Sequence, residues 1–268
     1  MLEFAEEGRP LARRVAVRRV TLAWFRNYAS ATIALDGRSV VLSGANGAGK
    51  TNLLEAISLL APGRGLRRAT HADLAHAGGP GTWAVAARLD DGAGDTIDLG
   101  TGIDTPAGGE EAGARLVRID GVSRRATTAL AEHVALGWLT PDLDGLFRGP
   151  AGDRRRFLDR MVVALDPGPG ARVARLDKRF RARPRRLEEA AEPRWLDATE
   201  RELAEVAVAV AAGRLSFVGK LAASIDTNHD GGSPFPDARV ALVGDMEARL
   251  GIDPASLVED DYRRRLRE

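Results

Sequence analysis

Gly44-Ala45-Asn46-Gly47-Ala48-Gly49-Lys50-Thr51 is a complete G-x-x-x-x-G-K-[ST] string, the Walker A pattern of a phosphate-binding loop. Each fixed position has a physical reason. The glycines let successive backbone N–H groups turn inward around phosphate oxygens, the lysine reaches the β and γ phosphates, and the threonine hydroxyl suits magnesium. The chain carries three lysines against 36 arginines, so a lysine here points to a compact, flexible ammonium that a planar guanidinium does not replace. The flanks agree with the motif. Val40-Val41-Leu42-Ser43 reads as a short buried strand, and Asn52 to Leu60 places Leu53, Leu54, Ala56, Ile57 and Leu60 at helical spacing before Pro62-Gly63 ends it. Strand, loop and helix N-terminus therefore follow in the order an anion site needs.

Working outward, Arg14 to Leu22 alternates as a strand, and Ala31 to Leu35 reads as its partner across a turn holding Phe25-Arg26-Asn27-Tyr28. Beyond the first helix, Trp83 to Leu89, Thr96 to Gly102 and Arg115 to Asp120 form three strand-like runs between Gly, Asp and Pro-rich loops. They predict an antiparallel side sheet, with Ala107 to Ala114 as a loop. Ser123 to Val134 reads as a helix and Leu136 to Leu139 as a short strand. The pattern then turns helical over Asp153 to Leu165, Ala171 to Arg183 and Glu200 to Ile225, the last with a capping box of Thr199 and Glu202. Arg239 to Val243 reads as a strand and Pro254 onward as a helix. The resulting division is a leader over 1–13, a nucleotide-binding lobe over 14–140, a helical lobe over 141–230, and an incomplete return toward the first lobe over 231–268.

At 268 residues and 44% hydrophobic the chain is long enough for one large domain or two small ones. It has no cysteine, which excludes disulfides and thiolate metal sites. His71, His76, His133 and His229 are scattered and read as surface or core residues rather than ligands. Met1 to Pro10 lacks the apolar core of a signal peptide, and no run of about 18 apolar residues suits a membrane span, so a cytoplasmic protein is expected. The formal net charge is only +1, yet it is unevenly placed: Arg148 to Arg186 carries a local +9, and Glu188 to Glu205 a local −5. Two solvated helical faces and a nucleic-acid footprint are both open readings of that asymmetry.

Several separated strings resemble one family. Phe25-Arg26-Asn27-Tyr28, the Walker loop continued by Asn52-Leu53-Leu54-Glu55-Ala56-Ile57, and Val117-Arg118-Ile119-Asp120-Gly121 are three of them. The fourth, Leu139-Thr140-Pro141-Asp142 leading to Gly149-Pro150 and Arg154-Arg155-Arg156-Phe157-Leu158-Asp159, is the most specific. Together they resemble the RecF family of recombinational-repair ATPases, over about Val15 to Arg214. The resemblance implies an α/β fold: a P-loop ABC/SMC-like ATPase head with a mixed sheet, an antiparallel side sheet and an inserted helical lobe.

It further implies an ATP-binding, DNA-binding repair protein acting at single-strand gaps in replication, repair and the SOS response. ATP and Mg2+ would be its cofactors. Single-stranded and gapped double-stranded DNA, RecR/RecO-type proteins and a second copy in an ATP-dependent homodimer would be its partners. Carried over by position, Gly44, Ala45, Asn46, Gly47, Ala48, Gly49, Lys50, Thr51 and Asn52 would hold the nucleotide and Thr51 the metal. Arg26 and Arg64 to Arg68 would lie near it. Arg154, Arg155 and Arg156 are nucleic-acid candidates.

The resemblance also leads one to expect a Leu-Ser-x-Gly-Gln signature helix, a Walker B strand and a switch histidine. None of these strings occurs between Met1 and Glu268, and the chain has no glutamine. Val240-Ala241-Leu242-Val243-Gly244-Asp245 imitates a Walker B strand poorly, and Asp142 is the nearest occupant of a γ-phosphate-sensing role. The expectation is a C-terminally truncated head that binds ATP, does not hydrolyse it alone, has no catalytic residue of its own, and is prone to aggregate through the apolar surface left beside the phosphate loop. A non-enzymatic ATP-binding interaction module, or an inert truncated remnant, is the alternative.

Overall fold

In the computed structural model, residues 15–90, 94–104, 114–165, 193–227 and 236–267 are described. The chain divides into two compact units, 1–139 and 140–268.

In the first unit, strands β1 (Ala16–Phe25), β2 (Tyr28–Ala34), β3 (Trp83–Asp90), β4 (Thr96–Ile103), β5 (Leu116–Ile119) and β6 (Val122–Arg124) form a six-stranded sheet in the order β2-β1-β3-β4-β5-β6. Every pairing is antiparallel. Period-two alternation selects its inner face: Trp83, Val85, Ala87 and Leu89 of β3 are buried while Ala84 and Ala86 between them are exposed. Leu99 and Ile103 of β4 and Val117 and Ile119 of β5 continue that face. Helix α1 (Lys50–Ser58) covers it with Leu53 and Ala56, followed by Leu59 and Leu60, and Leu130 and Val134 close the core. Each such buried leucine contributes about 1.5–3 kcal/mol. In β1, Trp24 takes a positive φ of 51° and shifts the phase, so that Phe25 enters the core against the Trp83 ring, with centroids 5.7 Å apart.

The antiparallel sheet is as expected, with three differences. Val40 to Ser43 forms no strand; Val40 and Val41 are exposed, and no parallel or mixed sheet forms among the described residues. An apolar run becomes a strand only where a neighbouring strand takes its backbone hydrogen bonds, and none of the six does. Ser123 to Val134 is not an α-helix: Asp120 and Gly121, at φ 48° and 77°, turn the chain into β6, and a 3-10 helix follows over Thr127–Glu132. The Asp-Gly pair is the hairpin signal that accounts for this. Leu136 to Leu139 is extended without pairing.

The second unit is helical: α2 (Ala151–Leu165), α3 (Pro193–Thr227), α4 (Asp245–Leu250) and α5 (Ala255–Arg267). Helix α3 packs with the other three, burying Leu203, Ala204, Val206, Ala207, Val210, Ala211 and Phe217, with Val162 of α2 and Val258 of α5 also buried. It starts at Pro193, so Thr199 lies buried inside the helix and caps nothing. By length and composition α3 also passes as a membrane span, contrary to the sequence reading; about a third of that stretch is buried, and the helix packs against α2, α4 and α5. Arg214 on α3 donates to both oxygens of Asp159 on α2, at 2.7 and 2.9 Å, and to Glu247 on α4 at 3.4 Å. Asp159 of the Arg-Arg-Arg-Phe-Leu-Asp string is thus a packing anchor.

Residues 236–267 fall within this second unit. Arg239 to Val243 is unpaired, and Asp245 opens α4 with its carboxylate 2.6 Å from Arg265, so the imitation Walker B strand is not one. The readings for 1–13, Ala171 to Arg183 and most of the Ala107 to Ala114 loop lie outside the described residues.

Candidate nucleotide-binding site

Residues 44 to 49 form the loop and Lys50 begins α1, two residues before the start at Asn52 that the spacing predicts. Gly44, Gly47 and Gly49 have φ of 146°, 85° and 97°, values that turn backbone N–H groups inward. Any other residue at Gly49 would be strained by its positive φ. A Cβ there would lie 2.6 Å from the Asn27 side-chain nitrogen and 2.7 Å from the Tyr28 hydroxyl oxygen, on top of the left-handed conformation. The Lys50 ammonium donates to the Gly44 carbonyl at 2.7 Å and the Ala45 carbonyl at 2.8 Å, which holds its charge over the loop. The first N–H to find an acceptor along α1 is that of Leu53, on Gly49 O at 3.0 Å. The N–H groups of Lys50, Thr51 and Asn52 precede it and, with the helix dipole, favour an anion. No acidic residue occupies the first turn of α1 to compete. Thr51 is exposed, and among the described residues its hydroxyl makes no hydrogen bond, which fits a metal ligand at the loop's edge.

Beneath the loop lies a constellation that the sequence reading missed. Glu55 is 1% exposed and accepts from Arg26 through both oxygens, Nε at 2.9 Å and Nη2 at 3.0 Å. Arg26 also donates to the Asp73 carbonyl at 2.7 Å. Arg67 reaches Glu55 at 3.3 Å and the Asn52 side-chain oxygen at 2.8 Å, and the Asn52 amide donates to Asn27 at 2.8 Å. The Ser58 hydroxyl accepts from the Leu66 N–H at 2.7 Å. Two guanidiniums on one carboxylate leave one net positive charge beside Lys50. Arg26 and Arg67 therefore support the loop and spend their donors on protein groups. The signal for Glu55 was an acid among the apolar residues Leu53, Leu54, Ala56 and Ile57, on a helix needing a cation to bury it.

The far end of α1 is held by Arg115. Its guanidinium donates to the carbonyls of Leu59, Gly63 and Ala61 and, through Nε, to the Thr101 hydroxyl at 2.8 Å. These are the orphan carbonyls past a helix C-terminus, where a cation also meets the negative end of the dipole. Burial without a carboxylate lowers the Arg115 pKa to about 10.

The nucleic-acid candidates lie in the second unit, on the first turns of α2. Arg154 donates to the Gly149 carbonyl at 2.7 Å, and Arg156 pairs with Asp153 on its own helix. Arg155 is exposed and has no side-chain partner among the described residues. Asp142 is exposed in the first turn of a 3-10 helix over Pro141–Gly145.

A family model described as an AAA domain matches residues 19–73, the segment holding most of β1, with β2, the phosphate loop and α1. The chain is 51% identical over 251 residues to the DNA replication and repair protein RecF of Mesorhizobium japonicum, covering 93% of this chain and 65% of that protein. It is 45% identical over 256 residues to RecF of Rhizobium johnstonii, covering 95% and 67%. Among solved structures it is similar to the recombination mediator protein RecF-ATPrS in the RecFOR pathway, with a TM-score of 0.77 at 19% identity over 94% of this chain and 67% of that one. Against the RecF-ATP structure the TM-score is 0.71 at 17% identity. These two likenesses bear on the fold. The chain thus spans about two thirds of the length of the relatives it matches.

Proposed function

The chain belongs to the RecF family of DNA replication and repair proteins, and on that premise we propose that it is an ATP-binding protein of recombinational repair. Gly44 to Thr51 hold the triphosphate through inward N–H groups and Lys50, Asn52 adds a helix N–H, and the Thr51 hydroxyl ligates Mg2+. The observation that carries the reading is the junction of that loop with the N-terminus of α1, where three glycine φ angles, the Lys50 ammonium and the helix dipole favour an anion at one place. Its DNA substrate is gapped or single-stranded DNA, its setting the cytoplasm and the SOS response, and its partners RecR/RecO-type proteins and a second copy of the chain.

Turnover by this chain alone is not part of the reading. Among the described residues the carboxylate of α1, Glu55, is committed to Arg26 and Arg67, and Asp245 to Arg265. Buried Glu55 is therefore not free to orient a water, and Asp245 lies in the second unit, not in the phosphate loop's own unit. ATP therefore acts as a binding ligand here, which is also what a non-enzymatic interaction module would show.

DNA contact is assigned to Arg155, with Arg154 and Arg156 beside it. A titration of gapped duplex across a salt series tests this. Each phosphate contact released lowers the slope of log affinity against log salt by about 0.9. Arg155→Ala is expected to lower that slope by about 1 without changing sequence preference. An unchanged slope in the triple alanine variant of Arg154, Arg155 and Arg156 would remove α2 from the interface.

A further inference from the structure

Asn52 follows the last residue of the phosphate loop, and both ends of its side-chain amide are spent: nitrogen on Asn27, oxygen on Arg67, each at 2.8 Å. Three residues on, Glu55 takes both Arg26 and Arg67; three further on, Ser58 takes the N–H of Leu66. One stripe of α1, at positions 52, 55 and 58, thus grips the 26–27 turn on one side and the 63–68 segment on the other. The inner bonds are half-buried and end on buried acceptors, Glu55 at 1% exposure and Ser58 with it. The outermost bond, Asn52 to Arg67, is exposed and adjoins Thr51, whereas the 3.3 Å bond from the same Arg67 nitrogen to Glu55 is half-buried. Arg68, next to Arg67, has a φ of 55°, a conformation a bulky residue holds only when its surroundings impose it. The 63–68 segment is therefore a constrained chain with one exchangeable fastening, beside the anion site.

Resting on the nucleotide reading above, we propose that the Asn52–Arg67 bond is a latch that couples triphosphate occupancy to the conformation of residues 63–68. Asn52 is its positioning residue and buried Glu55 its fixed pivot. Negative charge on the loop attracts the Arg67 guanidinium in competition with the Asn52 oxygen, so the two segment conformations bind triphosphate unequally, which is what coupling requires. The Arg67 bonds to Asn52 and Glu55 both come from Nη1, so a lysine at 67 can supply the same donor.

Limited trypsin digestion of the full chain, followed by peptide mass, reads the latch at Arg64, Arg67 and Arg68. Saturating MgATP is expected to change cleavage there by about fivefold or more, the lower end of ordinary coupling between linked sites. In Asn52→Ala, held at a MgATP concentration that calorimetry shows to saturate the variant, that change disappears. Arg67→Ala, read at Arg64 and Arg68, gives the same loss, and Arg67→Lys restores the response. Should Asn52→Ala fail to fold, the two Arg67 variants carry the test. Absence of MgATP binding by the unaltered chain would overturn the nucleotide reading itself. Binding without altered cleavage, or an undiminished response in Asn52→Ala or Arg67→Ala, would overturn the latch alone.

Discussion

At the residue scale, the site depends on a buried carboxylate more than on the motif that announces it. Removing one partner of a buried ion pair costs about 3–5 kcal/mol, because the remaining charge keeps its desolvation penalty. Glu55→Ala leaves two guanidiniums facing each other beneath the loop, and it is expected to fall in that range, with Glu55→Gln losing less because its amide oxygen still accepts. Chemical unfolding of the two variants checks the order; equal, small losses would mean that Arg26 and Arg67 turn to water freely. Lys50 and the glycines were legible because their relation is written in consecutive residues. The Arg26–Glu55–Arg67 cluster was not, since its members are 29 and 12 positions apart and meet only after the β1–β2 turn folds under α1. For the same reason Arg26 and Arg67 could be assigned to the neighbourhood of the loop, yet their inward direction could not be read.

At the element scale, strands whose faces alternate were legible and elements that depend on distant partners were not. The β3 to β5 meander follows from period-two runs. The expected strand at Val40 to Ser43 needed a hydrogen-bonding neighbour, which periodicity cannot supply. The start of α3 was misplaced because Thr199 with Glu202 satisfies a local capping pattern that the longer helix overrides. The seam between α3 and α5 is electrostatic at one end: Asp197 accepts from Arg263 at 2.5 Å and also pairs with Arg267 and Arg201, and Glu200 pairs with Arg267 at 3.0 Å. The Arg263 hydrogen bond holds the Asp197 carboxyl below its ordinary pKa, and Arg88 does the same for Asp98 in the sheet. A depressed carboxylate adds stability that is fully present above its unfolded value, near pH 4, and is lost as pH falls through the lower native value. The thermal midpoint is therefore expected to hold from neutrality to about pH 4 and to fall below it, and Asp197→Asn to flatten part of that fall. An identical acid limb in the variant would show that the seam does not contribute.

At the scale of the whole molecule, the family and the general fold follow from dispersed strings, and an apolar surface beside the phosphate loop was expected, but not at Val40 and Val41, which read as a buried strand. Val41 is 89% exposed and Val40 51%, on a stretch of backbone that pairs with no strand among the described residues. Unpaired edges with apolar side chains template association. Val41→Lys is expected to raise the concentration at which the chain stays monomeric by light scattering, with a thermal midpoint shifted little, because an exposed side chain contributes little to the folded state. Unaltered association would place the sticky surface elsewhere. The claim on which the account rests is that this surface borders a working triphosphate site. Calorimetric titration of MgATP into the chain and into Lys50→Ala tests it most directly: saturable binding at one site that the substitution abolishes is predicted, whereas binding that survives Lys50→Ala, or no binding by the unaltered chain, would contradict it.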